Sequence, residues 1–503
     1  MTNSSRNPDR IPVIIGVGQF NDREKNPDLG LDSLGLMAQA LRVAEADAGG
    51  NILSQIDSLA IVDQISFREL GNLCAALANE IGASPRINYQ SEAPHGDTPI
   101  RLLNEAANRI GAGEISLAAI TGGEALRTAA GRAAARAKDG AAPNALRTAT
   151  QRPEPTYAQL YGLSAPVDIY PLYENAGRAA YHQSLSEGQA ESGAIWTRFS
   201  EVAAANDGAW IRKITPADEI LTPSDSNRPI AFPYNKLMVA NSSVNQGAAF
   251  IVASLAEARR RGVPDERLIY VGMGAAAKEH GNVLKRDDYS RSVSMDTAIR
   301  RTLQLNNMTA ADFDLVELYS CFPCVPKMAR RTLGWPVDRP ATVFGGLTFG
   351  GGPIANYMSH AVVSMAQRLR QEGRTGFLFA NGGFATDNHC IVLSNQPIAA
   401  AQFPQDFNYQ DEADAKRGPI PDLEQDYVGP GKVETYTVFY GRDGAPRSGV
   451  VVALTPQGHR TLAHINVGEA KDLAFFTSGA SEPVHTAGTI KADAEGRRIW
   501  VIA

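Results

Sequence analysis

The amino-acid sequence predicts an α/β fold built on a layered sheet, with a small all-β module at its C-terminal end. Three observations carry this. Apolar strand-like runs alternate with helical spacing up to residue 124 and again from 247 to 395, the pattern of a sheet with helices on both faces. Residues 125–233 interrupt that alternation with a composition rich in Ala, Arg, Tyr and Pro. From residue 428 onward short runs alternate apolar and polar around turn residues, as half-buried strands do.

Taken in order, residues 13–17 are a strand running into Gly18, residues 31–44 a helix, and residues 58–62 a buried strand. Ile100, Leu103, Ala107 and Ile110 share one helical face, with Pro99 in the first turn and Asp97 or Thr98 as the cap. Residues 115–120 form a strand that ends in Thr121-Gly122-Gly123-Glu124. The interruption at 125–233 is expected to be short helices and irregular connectors covering one end of the sheet. Residues 247–261 are expected as a strong helix, 268–273 as a strand, 294–304 as a helix and 315–318 as a strand.

The stretch 341–395 is the densest in glycine turns and histidines. Gly350-Gly351-Gly352-Pro353 is expected to open a helix through Ala361, Met365 and Leu369. A strand at 376–380 stops at Asn381-Gly382-Gly383, a polar tip carries Asp387, Asn388 and His389, and a second strand follows at 390–393. Glycine turns let backbone N–H groups approach a ligand closely, and a following helix N-terminus favours negative charge. An oxyanion site requires both. Residues 400–430 have the Pro-, Gln- and Asp-rich composition of a linker, and 433–440 with 449–454 read as a hairpin about Asp443-Gly444. Shorter strands are expected at 461–465 and 498–502.

With 503 residues, 44% hydrophobic and 20% charged, the chain is long enough for two or three domains around a large core. A net charge of −6 argues against nucleic acid as the main partner. No apolar run is long enough for a membrane span, and the first ten residues have no apolar signal core. Four cysteines, Cys74, Cys321, Cys324 and Cys390, are too few for a disulfide scaffold and suit a reducing cytoplasm. Cys321-Phe322-Pro323-Cys324 has CxxC spacing but no second pair, so no metal site is expected.

Five motifs in order resemble the thiolase superfamily. Residues 110–124, IGAGEISLAAITGGE, are similar to its conserved-glycine strand. Asn245-Gln246-Gly247-Ala248-Ala249 resembles its D-G-A-A-A segment, read as a helix start. Tyr319-Ser320-Cys321-Phe322 resembles the NEAF or HDCF strand end, Gly345-Gly346-Leu347 the NxGG turn, and Gly351-Gly352-Pro353 stands where the family writes Gly-His-Pro. Residues 433–460 resemble the OB-like β-barrel fused to the thiolase-like group often labelled acetyl-CoA acetyltransferases. The resemblance implies a five-layered αβαβα core of two similar halves with an inserted loop domain. The halves fall at 1–124 with 234–262 and at 263–400, and the coenzyme A-binding loop domain at 125–233. A linker follows at 401–427 and an OB-like module at 428–503. It also implies acyl-CoA or β-keto acyl substrates, with coenzyme A as co-substrate near Gly351, Gly352, Asn381, Gly382 and Gly383. Thiolases are dimers or tetramers, so a homodimer is among the expectations.

The departures bear on mechanism. The segment of the thiolase nucleophile, Ser91 to Pro99, holds no cysteine; Gly352 replaces the activating histidine, and Ala380 or Asn381 the second cysteine. An acyl-cysteine route is therefore not expected. The remaining acid–base candidates are His389 first, then Tyr319 as an oxyanion donor and His95 on the nucleophile loop. Tyr357 and His360, on the helix after Gly352, complete the set. The expected function is an acyltransferase or a CoA-dependent C–C cleavage enzyme. The alternatives are a tyrosine/histidine retro-aldolase and a non-catalytic acyl-CoA-binding protein.

Overall fold

The computed structural model describes residues 7–138 and 154–503, so part of the inserted segment lies outside the described residues. Its centre is a nine-stranded sheet in two halves. Ile87–Gln90, Ser58–Ile61, Leu117–Ala125, Asn245–Ser254 and Pro12–Asn21 follow one another in space, and Ile269–Lys278, Asp387–Ser394, Thr375–Gly382 and Leu315–Leu318 continue the series. The join between halves is slim, since Pro12–Asn21 meets Ile269–Lys278 only at Val13↔Tyr270 and Ile14↔Ile269.

Two helices, Thr98–Ala112 and Tyr357–Leu369, pack against each other and against strands of both halves. They form the middle layer. Ile100, Leu103, Ala107 and Ile110 are all fully buried there, as their spacing predicts. Ser33–Asp47 covers the far face of the first half, and Val293–Asn306 packs on the second. The result is the five-layered αβαβα arrangement.

Several local expectations change. Asn245–Ser254 is a strand, and only Leu255–Arg260 is helical. Its Ala-rich run is compatible with a helix in isolation. In the fold it pairs along both edges, with Pro12–Asn21 and Leu117–Ala125, and every residue is buried. A strand buried on both faces loses the alternation that marks strands, so periodicity cannot separate it from a helix. The helix expected to open at Gly350 begins only at Tyr357, after a π-helical turn Gly346–Gly350 and a short 3-10 turn. Asp387, Asn388 and His389 lie inside the strand Asp387–Ser394, so the hairpin tip is residues 383–386. Among the described residues the inserted segment holds a 13-residue helix, Leu126–Lys138, and two longer ones, Pro166–Ala180 and the 21-residue Leu185–Ala205, where only short ones are expected. The two longer helices are largely buried on one side.

At the C-terminal end, Gly429–Tyr440, Pro446–Leu454, Arg460–His464, Arg498–Ile502 and Ala487–Ala492 close on themselves as a five-stranded barrel. Gly429–Tyr440 pairs with both the hairpin partner and Ala487–Ala492, which closes it. Pro229–Ala231 and Tyr234–Asn235 add to the same sheet. Ala487–Ala492 and the helix Ala470–Thr477 are additions to the sequence reading; both are mostly polar or exposed and show little periodicity. Residues 401–427 hold a helix Gln410–Lys416 and the bridges Ala276↔Asn408 and Leu423↔Arg460.

Candidate functional site

The segment that leads into Thr98–Ala112 meets the end of Thr375–Gly382 beside Tyr319, the residue that follows Leu315–Leu318. Gly96 is the contact point. A Cβ at Gly96 would fall 2.2 Å from the Asn381 carbonyl and 2.7 Å from the Tyr319 hydroxyl. Only glycine fits, so a nucleophilic side chain has no room at this position.

Around this contact lies a charged cluster. His95 Nδ1 is 3.2 Å from Asp387 Oδ2, and Lys278 Nζ is 2.9 Å from Asp387 Oδ1. The His95 side chain is 51% exposed, whereas that of Asp387 is 5% exposed. The hydrogen bond to Asp387 raises the His95 pKa above its ordinary value, against a smaller opposing effect of burial. Burial pushes Asp387 upward, but hydrogen bonds from His95 and Lys278 outweigh it and hold the carboxyl below the usual range. Asp97 is buried, and desolvation with the nearby Asp387 charge raises its pKa to about 6. Asp387, Lys278 and Asp97 thus join His95 in one electrostatic unit. The sequence predicts Asp387 in a polar tip and Asp97 or Thr98 as a cap; Lys278 carries no signal in the sequence, because its place in the cluster follows from sheet order.

The other candidates are interior. Tyr319 is 6% exposed and meets Tyr357 edge-on, with ring centroids 5.6 Å apart. Burial drives the Tyr319 pKa well above its ordinary value, so the phenol stays protonated and can act as a donor. The Tyr357 hydroxyl donates to Glu317 Oε1 at 2.6 Å. Glu317 also accepts from the Val343 and Phe344 amides, and burial raises its pKa to about 7 against those hydrogen bonds.

His360 has no solvent exposure, contacts Gln19 Oε1 through Nδ1 at 2.6 Å and stacks on Phe344. His389 is also fully buried; its Nε2 lies 3.0 Å from Asn104 Nδ2, and Phe407 tilts against its ring. Burial lowers both pKa values to about 3, helped at His389 by the charges of Arg101 and Lys278.

The structure therefore separates the five expected acid–base residues. His95 is half exposed at the surface, Tyr319 and Tyr357 are buried side by side, and His389 and His360 sit in the core. The glycine turn is internally engaged: Gly352 N donates to Asn241 O at 2.8 Å, and Gly345 and Gly346 N donate to Thr342 Oγ1. Gly351 has φ 105° and lies against Gln246. Asn381 accepts from the Tyr170 hydroxyl at 3.0 Å and donates to Asn388 Oδ1 at 2.9 Å. Gly382 is buried, and of these five turn residues Gly383 alone is exposed.

Cys321, Cys324 and Cys390 are free and buried, and desolvation raises Cys321 to about 12 and the other two well above the ordinary thiol value. Cys74 is half-buried, and its pKa is raised too. Among the described residues no group of three or more His, Cys, Asp or Glu is arranged to hold a metal ion.

Comparison with known proteins agrees with this architecture. Residues 410–502 match the family described as thiolase-like protein type 1 additional C-terminal domain. The crystal structure of a monomeric SCP2-thiolase like protein type 1 from Mycobacterium smegmatis is 29% identical, with a TM-score of 0.80, covering 98% of this chain and 99% of that one. An Ltp2-ChsH2(DUF35) aldolase aligns at 17% identity and TM-score 0.58, over 77% of this chain and 98% of that one. Human mitochondrial 3-ketoacyl-CoA thiolase in complex with CoA aligns at 14% and 0.56, over 77% and 98%. The latter two share the fold. No curated protein matches the sequence. The chain thus has the thiolase-like fold, and its residues 410–502 match the additional C-terminal domain of type 1 thiolase-like proteins.

Proposed function

We propose that this thiolase-fold protein acts on an acyl-CoA or β-keto acyl thioester by direct proton transfer, without an acyl-cysteine. The observation that carries the reading is the His95–Asp387 pair, at 3.2 Å, beside the N-terminus of a 15-residue helix and next to Gly96, which lies against the Tyr319 hydroxyl. Neutral His95 is the base, and Asp387 orients its ring and stabilises the imidazolium that forms. In the cleavage direction a proton leaves the attacking thiol of coenzyme A, or the β-hydroxyl of an aldol-type substrate, for His95. The Cα–Cβ bond then breaks, and its electron pair settles on the thioester as an enolate. Lys278 and the helix N-terminus favour that charge, Tyr319 is placed to donate to it, and the proton returns to the α-carbon. Acyl transfer and retro-aldol cleavage share this enolate, so the reading covers both expected reaction types.

His95 takes the role that the sequence favours for His389. A ring with no exposed atom and a pKa of about 3 is poorly suited to proton exchange near neutral pH. A second reading, an acyl-CoA-binding protein without turnover, has one observation in its favour: Tyr319 lies against Gly96 and leaves little open volume beside it. Calorimetry with coenzyme A and acetyl-CoA, joined to thermal shift, tests ligand choice for both readings. Heat and a raised Tm at millimolar thioester are expected. Neither effect with either ligand would remove the thioester from the account.

A further inference from the structure

The hairpin tip that ends in Asp387 is held from outside the thiolase core. Gly383 and Ala385 both have positive φ, 62° and 56°. An alanine in that region is strained and persists only where the surroundings over-determine it. The surroundings here are specific. The Tyr170 hydroxyl accepts from Ala385 N and shares its one proton between Gly383 O and Asn381 Oδ1, each at 3.0 Å, and the Tyr173 hydroxyl donates to Phe384 O at 2.9 Å. Arg286, 1% exposed, donates to Phe384 O at 2.9 Å, to Thr386 Oγ1 at 3.2 Å and to the Tyr173 hydroxyl at 3.0 Å.

Arg286 is in turn fixed by the C-terminal barrel. Arg460, on a barrel strand and fully buried, donates through Nη1 to Leu284 O at 2.6 Å and to Arg286 O at 2.7 Å. Its other nitrogens pair with Glu434, and its guanidinium lies over the Tyr289 ring at 4.9 Å. The forked guanidinium grips the Glu434 carboxylate with two nitrogens while its third serves the two carbonyls, a planar bidentate geometry that a lysine does not reproduce.

We propose that the C-terminal barrel sets the geometry of the His95–Asp387 pair through Arg460 and Arg286, which act as positioning residues. The chain of contacts runs from Glu434 through Arg460 to the 284–286 backbone, then through the Arg286 guanidinium to residues 384–386, and so to Asp387. This rests on the reading of His95–Asp387 as the acid–base pair, but its test does not. The groups facing His95 are Asp387, Asp97 and Lys278; none is on the barrel, so a barrel substitution reaches His95 only by moving the hairpin.

The experiment compares full-length Arg460→Lys with Val451→Ala, a barrel-core truncation at a residue that is not a member of the chain of contacts, and follows the His95 ring by NMR titration and amide exchange at residues 383–387. In Arg460→Lys, exchange at 383–387 should quicken by about ten-fold, and the His95 pKa should fall toward its ordinary value. Val451→Ala should lower Tm while leaving both readouts unchanged. If Arg460→Lys does not fold, Arg286→Lys replaces it with the same expectation. An unchanged titration and exchange in the arginine variant would overturn the proposal, and so would equal changes in Val451→Ala. Loss of His95 coupling with no thioester activity in wild type would keep this inference and sink the functional one.

Discussion

The middle layer has two helices that enter the same region from the two halves of the core, and their N-termini have diverged. At Thr98–Ala112 the entry is open and charged, with His95 exposed over Asp387, Lys278 and Asp97. At Tyr357–Leu369 the entry is closed. The Gly352 amide is spent on Asn241 O, His360 is stacked under Phe344, and Glu317 is sealed beneath Tyr357. The same architecture thus keeps polar groups in two states. One set is paired and reaches solvent through His95. The other is dry, with its protonation fixed by burial. Residue type does not distinguish them, since each end has a histidine and buried carboxyl groups; the exposure of the histidine does.

The sharpest way to break this comparison is at the open end. His95→Ala should reduce turnover of a responsive thioester by about 10²–10⁴-fold, the range of a lost general base, measured as kcat/KM with the fold checked by circular dichroism. Asp387→Asn should also shift the pH profile. Because the base must be neutral, activity rises as pH rises through the elevated His95 pKa. Removing the carboxylate charge should move that rise to lower pH. Tyr319→Phe removes only the hydroxyl and should cost about 10²-fold if the phenol stabilises the enolate oxygen. Steady-state kinetics separates this from binding, because kcat should fall with little change in KM.

At the closed end the expected effects are on stability. Buried neutral His389 gains its proton only near pH 3, against about 6.5 in the unfolded chain. Between those values the unfolded state binds more protons, so stability drops as the pH drops, by about 1.4 kcal/mol per unit for such a group. His389→Gln removes this slope. Its urea midpoint should therefore improve relative to wild type as pH drops from 7 to 5, and a constant difference would contradict the burial argument. The smallest effect is expected at the thiols. Intact mass after incubation with acyl-CoA should show no acyl adduct, since all four cysteines have raised pKa values.

Much of the fold was legible because periodic elements and glycine turns are local signals. The face of Ile100, Leu103, Ala107 and Ile110, the hairpin at 375–394 and the barrel hairpin about Asp443-Gly444 all follow from spacing. Asn245–Ser254 was not legible, since burial on both faces erases the strand period. The site was half legible. Tyr319 and Tyr357 do come together, and Gly96 has no room for a side chain. Yet the order of His389 and His95 depends on depth, and depth depends on Phe407 and Asn104, distant in sequence from His389. Lys278 reaches the cluster only because Asp387–Ser394 pairs with Ile269–Lys278.

The most direct measurement is α-proton exchange on acetyl-CoA in deuterated buffer, followed by mass spectrometry. The account predicts deuterium incorporation by wild type, its loss in His95→Ala and its retention in His389→Gln. Incorporation that survives His95→Ala but vanishes in His389→Gln would contradict it.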